Sequence, residues 1–377
     1  MSRQLHSGGS RRWPAAVAAA AFVWAAAGGA AGAHELELTE VHVTFESDGT
    51  FRIEVMNDPG WLLMRVEPFS GLGLSGRLDP PDRDDRLAEM EPTFADWVHL
   101  YFDGERAPIS ATYLPPAEDG PAAADGTLLG VMRLDGRVPP GAETFSFAYG
   151  LIMDAYPLLI RDRSDEVVTY WNVGEYETEP MRLGELTPPT RWQVVGTYLG
   201  LGFTHIVPKG LDHILFVAGI FLLGTRLTPM LAQVTTFTVA HTITLGLSMV
   251  GVLSLPARVV EPLIALSIAY VAVENIVTSE LKPWRLALVF GFGLLHGLGF
   301  AGVLAELGLP RGEFAAALMS FNLGVEGGQL AVIAGLFAAL GWARQAPWYR
   351  RAAVVPLSLG IAAVGVYWTV TRALGGG

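Results

Sequence analysis

The 377-residue sequence contains no cysteine, which rules out disulfides and thiolate ligands and leaves imidazole, carboxylate, amide and thioether as metal donors. No Gly-x-x-x-x-Gly-Lys-Ser/Thr string occurs, so no phosphate-cradling loop for ATP is expected and any work must draw on a gradient or another chain. Charge is sparse, at 16% of residues, and uneven: residues 34–192 hold 30 Asp and Glu against 12 Lys and Arg. A field of that sign repels nucleic acid, keeps a surface soluble and attracts cations. The apolar C-terminal half shows no Lys or Arg deep in its runs, since Lys209 stands at a Pro-Gly break.

What is abundant is apolar surface, with hydrophobic residues at 51% of positions. From Val194 onward the runs reach the ~20 residues that cross ~30 Å of hydrocarbon. Residues 1–33 combine Arg3, Arg11 and Arg12 with an Ala-rich core and Ala31-Gly32-Ala33, the pattern of a secretory signal peptide cleaved before His34. Residues 34–190 alternate apolar and polar positions, with strand-like runs near Leu36–Phe45, Phe51–Val55, Val98–Phe102, Leu128–Leu134, Thr144–Tyr149 and Val167–Val173. Gly, Asp and Pro turns between them predict an all-β, antiparallel, sandwich-like exported domain, with one helix between Pro81 and Trp97.

Residues 191–377 predict an all-α polytopic bundle of about six transmembrane helices: Val194–Leu223, Leu231–Leu253, Val259–Thr278, Leu286–Leu307, Phe314–Leu340 and Ala352–Val370. The first is too long for one straight span and is broken by Pro208 and Gly210. With an exported domain ahead of it, inner loops carry Arg226, Lys282, Arg285, Arg344, Arg350 and Arg351, against Arg258, Arg311 and Arg372 outside, as the positive-inside rule requires.

Inside these runs stand His205, His213, His241 and His296, accompanied by Asp212, Glu261, Glu274 and Glu326, with Asn275, Asn322 and Gln329 beside them. A charge near mid-membrane costs about 2.5–3.5 kcal/mol on insertion scales, so such groups are usually kept because they bind or move something. The seven-residue step from His205 to Asp212 returns within about 20° of one helical face. Neutral imidazole with carboxylate suits nickel, cobalt, zinc, iron or copper(II). Taken singly, His241 or Asn322 reads more simply as a hydrogen bond between helices. Taken together, four imidazoles and four acids without basic partners read as a cation pathway. The glycines around His296 and Asn322 need no role beyond close helix packing.

The motifs from His205 to Phe216, from Phe237 to Leu245, Val260-Glu261 with Ile264–Ile268, Glu274-Asn275, Gly293–Gly302 and Phe321–Gln329 occur in order. Together they resemble the HupE/UreJ family, particularly its branch with a large exported domain. That resemblance implies a permease for nickel, or for cobalt or another divalent metal such as copper, zinc or iron, held as substrate and not as a permanent cofactor. Two departures stand out: six residues separate His205 from Asp212 where nickel permeases have five, and Phe300 lies where a second imidazole is expected after His296.

The expected metal ligands are therefore His205, Asp212, His213, His241, Glu274, His296 and Glu326, with Glu261 and Asn322 as weaker candidates. His34, at the mature N-terminus, and His42 resemble a copper-binding histidine brace in composition, but eight extended residues hold them ~26 Å apart. The reading is a multi-pass inner-membrane permease, not an enzyme, with a periplasmic domain that offers a surface to a protein partner. The rivals are a non-transporting accessory protein for metalloenzyme maturation and a membrane metalloenzyme.

Overall fold

The computed structural model describes residues 39–76, 78–122, 128–152, 155–162, 167–174, 176–224, 226–253, 255–280, 282–306 and 313–374. The expected signal peptide and His34 lie outside them. The chain divides into two compact units; along the sequence the boundary after the β-rich part falls between Thr197 and Tyr198.

The β-rich unit begins with a hairpin. Strands β1 (Glu40–Phe45) and β2 (Thr50–Asn57) pair antiparallel around a turn in which Gly49 takes a φ of +83° and Asp48 accepts a 2.9 Å hydrogen bond from the Thr50 N–H. Strict alternation along β1 sends Val41, Val43 and Phe45 inward. The further strands are β3 (Val98–Phe102), β4 (Glu105–Arg106), β5 (Ser110–Leu114), β6 (Gly130–Arg137), β7 (Thr144–Tyr149), β8 (Ala155–Arg161), β9 (Val167–Val173) and β10 (Met181–Arg182). They form a six-stranded sheet in the order β5-β6-β2-β1-β8-β9 and a four-stranded sheet in the order β10-β7-β3-β4.

The inner faces of the two sheets meet through aromatic rings. Phe45 of the first sheet lies 4.7 Å from Phe145 and 6.3 Å from Phe102 of the second, both edge-to-face. This is a two-sheet sandwich with one buried core, but two expectations need correction. The large sheet is mixed, because β1 and β8 run parallel from Val41–Leu158 to Thr44–Arg161. The unit also carries three helices, α1 (Pro59–Val66), α2 (Pro80–Glu89) and α3 (Glu91–Ala95), so it is not all β. The single helix expected across this region is two, separated at Met90 just ahead of Pro92.

The helical unit continues from α4 (Arg191–Ile206) through α5 (Leu211–Leu223), α6 (Leu227–Met249), α7 (Ala257–Val277), α8 (Arg285–Glu306), α9 (Phe314–Leu340) and α10 (Val355–Ala373). Among the described residues, Leu227–Met249, Ala257–Val277, Phe314–Ala343 and Arg350–Ala373 are long and apolar enough to cross a membrane. Helices α4 and α5 pass the same test only together, bent by 69° at their break, as a broken span or a re-entrant loop. The break follows from local chemistry. Pro208 disfavours helical backbone at Val207, and Gly210 packs so closely on the His205 carbonyl that a Cβ there would collide with it.

Glycine also sets the helix spacing. A Cβ at Gly202 would strike the Phe321 carbonyl and one at Gly324 the Leu199 carbonyl, so α4 and α9 touch backbone to backbone. Gly293 and Gly297 do the same for α8 against Phe237 and His241 of α6.

Two outcomes are expected. Gly324→Ala forces the α4–α9 crossing apart at a cost of about 1–3 kcal/mol, read as a lower melting temperature of the detergent-solubilised protein; an unchanged melting temperature would show that the crossing tolerates a Cβ. In the β-rich unit, burial raises the Glu67 carboxyl's pKa, but hydrogen bonds from Ser75 and the Arg86 guanidinium outweigh it and hold the group below its ordinary value of 4.5. A depressed folded value gives stability that is present above the unfolded pKa and lost as pH falls through the folded one. Protease resistance of this unit should therefore decline below about pH 4.5, and less steeply in Glu67→Gln.

Candidate metal site

His205 is the penultimate residue of α4 and His213 the third of α5, so the bend between these helices turns the two imidazoles toward each other, with ring centroids 4.8 Å apart. His241 of α6 joins them at 6.2 Å from His205 and 6.0 Å from His213. One ligand nitrogen from each of these three residues lies within 4.8 Å of the others. His296 of α8 sits beside the group, its ring 5.0 Å from that of His213.

The walls are apolar and aromatic. Phe216, Phe237 and Phe321 place their rings 5.3, 4.9 and 5.6 Å from His296, His296 and His205 respectively. His241 is fully buried, and His213 and His296 nearly so. His205 is half-buried beside these three.

Hydrogen bonds fix which nitrogen faces inward. The Asn322 amide Nδ2 donates to the Leu318 carbonyl at 2.8 Å, which turns its Oδ1 to His241 Nδ1 at 3.0 Å. An oxygen at that position only accepts, so Nδ1 of His241 carries the proton and Nε2 keeps its lone pair. That Nε2 is buried and has no hydrogen-bond partner. His296 is set in the same way, its Nδ1 donating to the Phe292 carbonyl at 2.8 Å. A buried lone pair backed by a fixed N–H is the arrangement metal-ligating histidines usually show.

The acids do not join this group. Asp212 is bound by Arg372 of α10, whose Nη1 donates to Oδ2 at 2.9 Å and Nη2 to Oδ1 at 3.2 Å. Arg372 also reaches the Glu261 carbonyl at 3.4 Å and lies over the Trp368 ring. Glu274 is bound by Arg285 Nη1 at 2.7 Å, and Arg285 Nε donates to Gln233 at 2.9 Å. Glu326 accepts from Thr235 at 2.6 Å on an exposed face of α6. Asn322 serves as the hydrogen-bond partner of His241. In the other unit, His42 on β1 pairs with Glu40 at 2.6 Å.

Two points therefore correct the sequence reading. Two of the four acids, Asp212 and Glu274, do have basic partners, because Arg372 and Arg285, placed by sequence in a tail and a loop, are buried within helices. The step from His205 to Asp212 also fails as a helical repeat, because the bend resets the phase and presents His213 instead. The Arg285–Glu274 pair had a visible signal: the two residues are 11 apart across a short connection, which folds the start of α8 onto the end of α7. The Arg372–Asp212 pair, 160 residues apart, had none.

A family model described as HupE / UreJ protein matches residues 183–372. No curated protein and no solved structure matches the chain. If the cluster holds metal, Asn322→Leu frees the His241 tautomer and lowers affinity by about 10- to 100-fold, measured by equilibrium dialysis of the purified protein with nickel. Unaltered affinity at unaltered helix content would detach Asn322 from the site.

Proposed function

The chain belongs to the HupE/UreJ family, whose membership implies a role in nickel or cobalt handling, and on that premise we propose that it is a permease for a divalent transition-metal ion. The observation that carries the reading is the convergence of His205, His213 and His241 at the break between α4 and α5, with His296 adjoining. A dication entering this group must exchange hydration water for protein donors, and imidazole nitrogens supply them. Bonds of about 2.1 Å at tetrahedral angles put ligand nitrogens about 3.4 Å apart. The resting group, spread to as much as 4.8 Å, must contract to grip an ion fully. Loose prior geometry suits passage, since a conducted ion has to leave as readily as it enters.

In this proposal α4 with α5 forms one broken span, and α6 to α10 complete six. Residues 1–33 direct export, the β-rich unit lies in the periplasm and the bundle in the inner membrane. Removing the buried Arg285 and Arg372 from the loop count leaves Arg226, Lys282, Arg344, Arg350 and Arg351 inside against Arg258 and Arg311 outside, so the charge bias supporting this orientation persists. The irregular backbone from Val207 to Gly210 is tolerable at membrane depth where it faces protein or a cavity. Neither a catalytic step nor a permanent cofactor belongs to the reading.

The test is nickel and cobalt accumulation in cells expressing the wild type, His213→Ala or His241→Ala at matched protein levels. Each substitution is expected to reduce uptake at least about tenfold. Equal uptake in all three would end the permease reading in favour of an accessory role. Metal retained through dialysis at fixed stoichiometry, with turnover of a substrate, would favour a metalloenzyme.

A further inference from the structure

The structure assigns the inner gate of the permease to two layers that follow the imidazoles along the bundle: the rings of Phe216, Phe237 and Phe292, then a latch in which Arg285 ties Glu274 to Gln233. This gate deepens the permease reading and rests on it.

The helices that carry His213, His241 and His296 repeat one order of residues toward the end where α5 stops and where α6 and α8 begin, which is cytoplasmic in the proposed orientation. Phe216 follows His213 by three residues, Phe237 precedes His241 by four and Phe292 precedes His296 by four. Helical periodicity sets each about one turn inward on a similar face. The rings form one layer, with Phe216 5.1 Å from Phe237 and 6.0 Å from Phe292, and with Phe216 and Phe237 5.3 and 4.9 Å from His296. A further step along the same helices reaches Gly219, Gln233 and Arg285. There Arg285 Nε donates to Gln233 at 2.9 Å, Arg285 Nη1 to Glu274 Oε2 at 2.7 Å, and Asn275 Nδ2 to the Gly219 carbonyl at 2.8 Å. An ion leaving the imidazoles inward meets apolar rings, a constriction that opposes a hydrated cation, and then α5, α6, α7 and α8 tied together.

The latch is made to release. Arg372 holds both oxygens of Asp212 through two bonds, whereas Arg285 holds one oxygen of Glu274 through one. Glu274 and Arg285 are 8% and 2% exposed, yet Glu274 Oε1 and Arg285 Nη2 have no hydrogen-bond partner within the protein. Polar atoms that the protein leaves unmet gain from water, so hydration of this layer competes with the single bond that closes it. That competition supplies the two states between which a gate moves.

The chain has no cysteine of its own, so one introduced thiol can report the gate. Val289 is fully buried on α8 between Phe292 and Arg285, and Val289→Cys places the thiol there. The experiment treats inside-out membrane vesicles carrying the full chain with a membrane-impermeant maleimide. Labelling should be slow with the latch intact and at least about tenfold faster once Arg285→Gln or Glu274→Gln is added, because losing one partner of a buried pair destabilises the arrangement that holds the other. Nickel affinity, by equilibrium dialysis, should be unchanged in both. A merely structural pair would loosen the whole bundle and expose Ala362→Cys, on α10, as much as Val289→Cys. Equal Val289→Cys labelling with and without the latch overturns the inference, as does fast labelling of Val289→Cys alone, equal acceleration at Ala362→Cys, or a loss of nickel affinity in Glu274→Gln equal to that of His213→Ala. Should Arg285→Gln not fold, Glu274→Gln, which keeps the side-chain shape, decides by the same criteria. A wild type that binds no nickel removes the permease reading itself, and the labelling, which uses no metal, is separate from that arm.

Discussion

A charge placed inside a helical bundle has to bring its counter-charge with it, and this constraint shapes the whole C-terminal half. Removing one partner of a buried ion pair costs about 3–5 kcal/mol, because the other is left uncompensated. Asp212 with Arg372 and Glu274 with Arg285 satisfy the condition by joining α5 to α10 and α7 to α8. Neutral imidazoles escape it. They are polar enough to ligate and uncharged enough to be buried without a counter-ion, and His205, His213, His241 and His296 stand together in this interior.

How these rings come together is a matter of backbone before it is one of side chains. The bend at Pro208 and Gly210 brings His205 to His213, and Gly293 and Gly297 let α8 approach α6 closely enough for His296 to stand beside them. Glycine in a helix is unfavourable by roughly 1 kcal/mol relative to alanine, so its repeated use here marks contacts that no larger residue permits. Asn322 and the Phe292 carbonyl then orient two of the rings, and Phe216, Phe237 and Phe321 stand against the imidazoles. In low dielectric every remaining lone pair acts more strongly on an entering cation than it would in water.

Much of this was legible from residue pattern. Strands β3, β7 and β9 coincide with the runs expected at Val98–Phe102, Thr144–Tyr149 and Val167–Val173, because alternation and turn residues are local signals. Strand β8 escaped because Pro157 argues against a central strand. In the structure Pro157 pairs with Trp171 of β9, while the parallel pairing to β1 begins only at Leu158, so the missing N–H is not needed there. The four intramembrane histidines were likewise visible as residue types in apolar runs. The neutralisation of the acids was not, because sequence distance from the end of a run does not measure depth. Arg372, five residues from the C-terminus, is buried against a partner in the first turn of α5.

The two units also differ in what their electrostatics can accomplish. In the β-rich part, arginines are drawn into pairs such as Arg86–Glu67, Arg133–Glu54 and Arg52–Asp135, and the excess of carboxylates remains. Such a field falls off over about 10 Å at moderate salt and acts on valence, so it raises the local concentration of every dication alike. It cannot tell nickel from magnesium. Discrimination between elements requires contact with donor atoms, and in this chain the donors that converge are imidazole nitrogens. Attraction by charge and selection by ligand are therefore physically separable, and they fall on different stretches of the sequence.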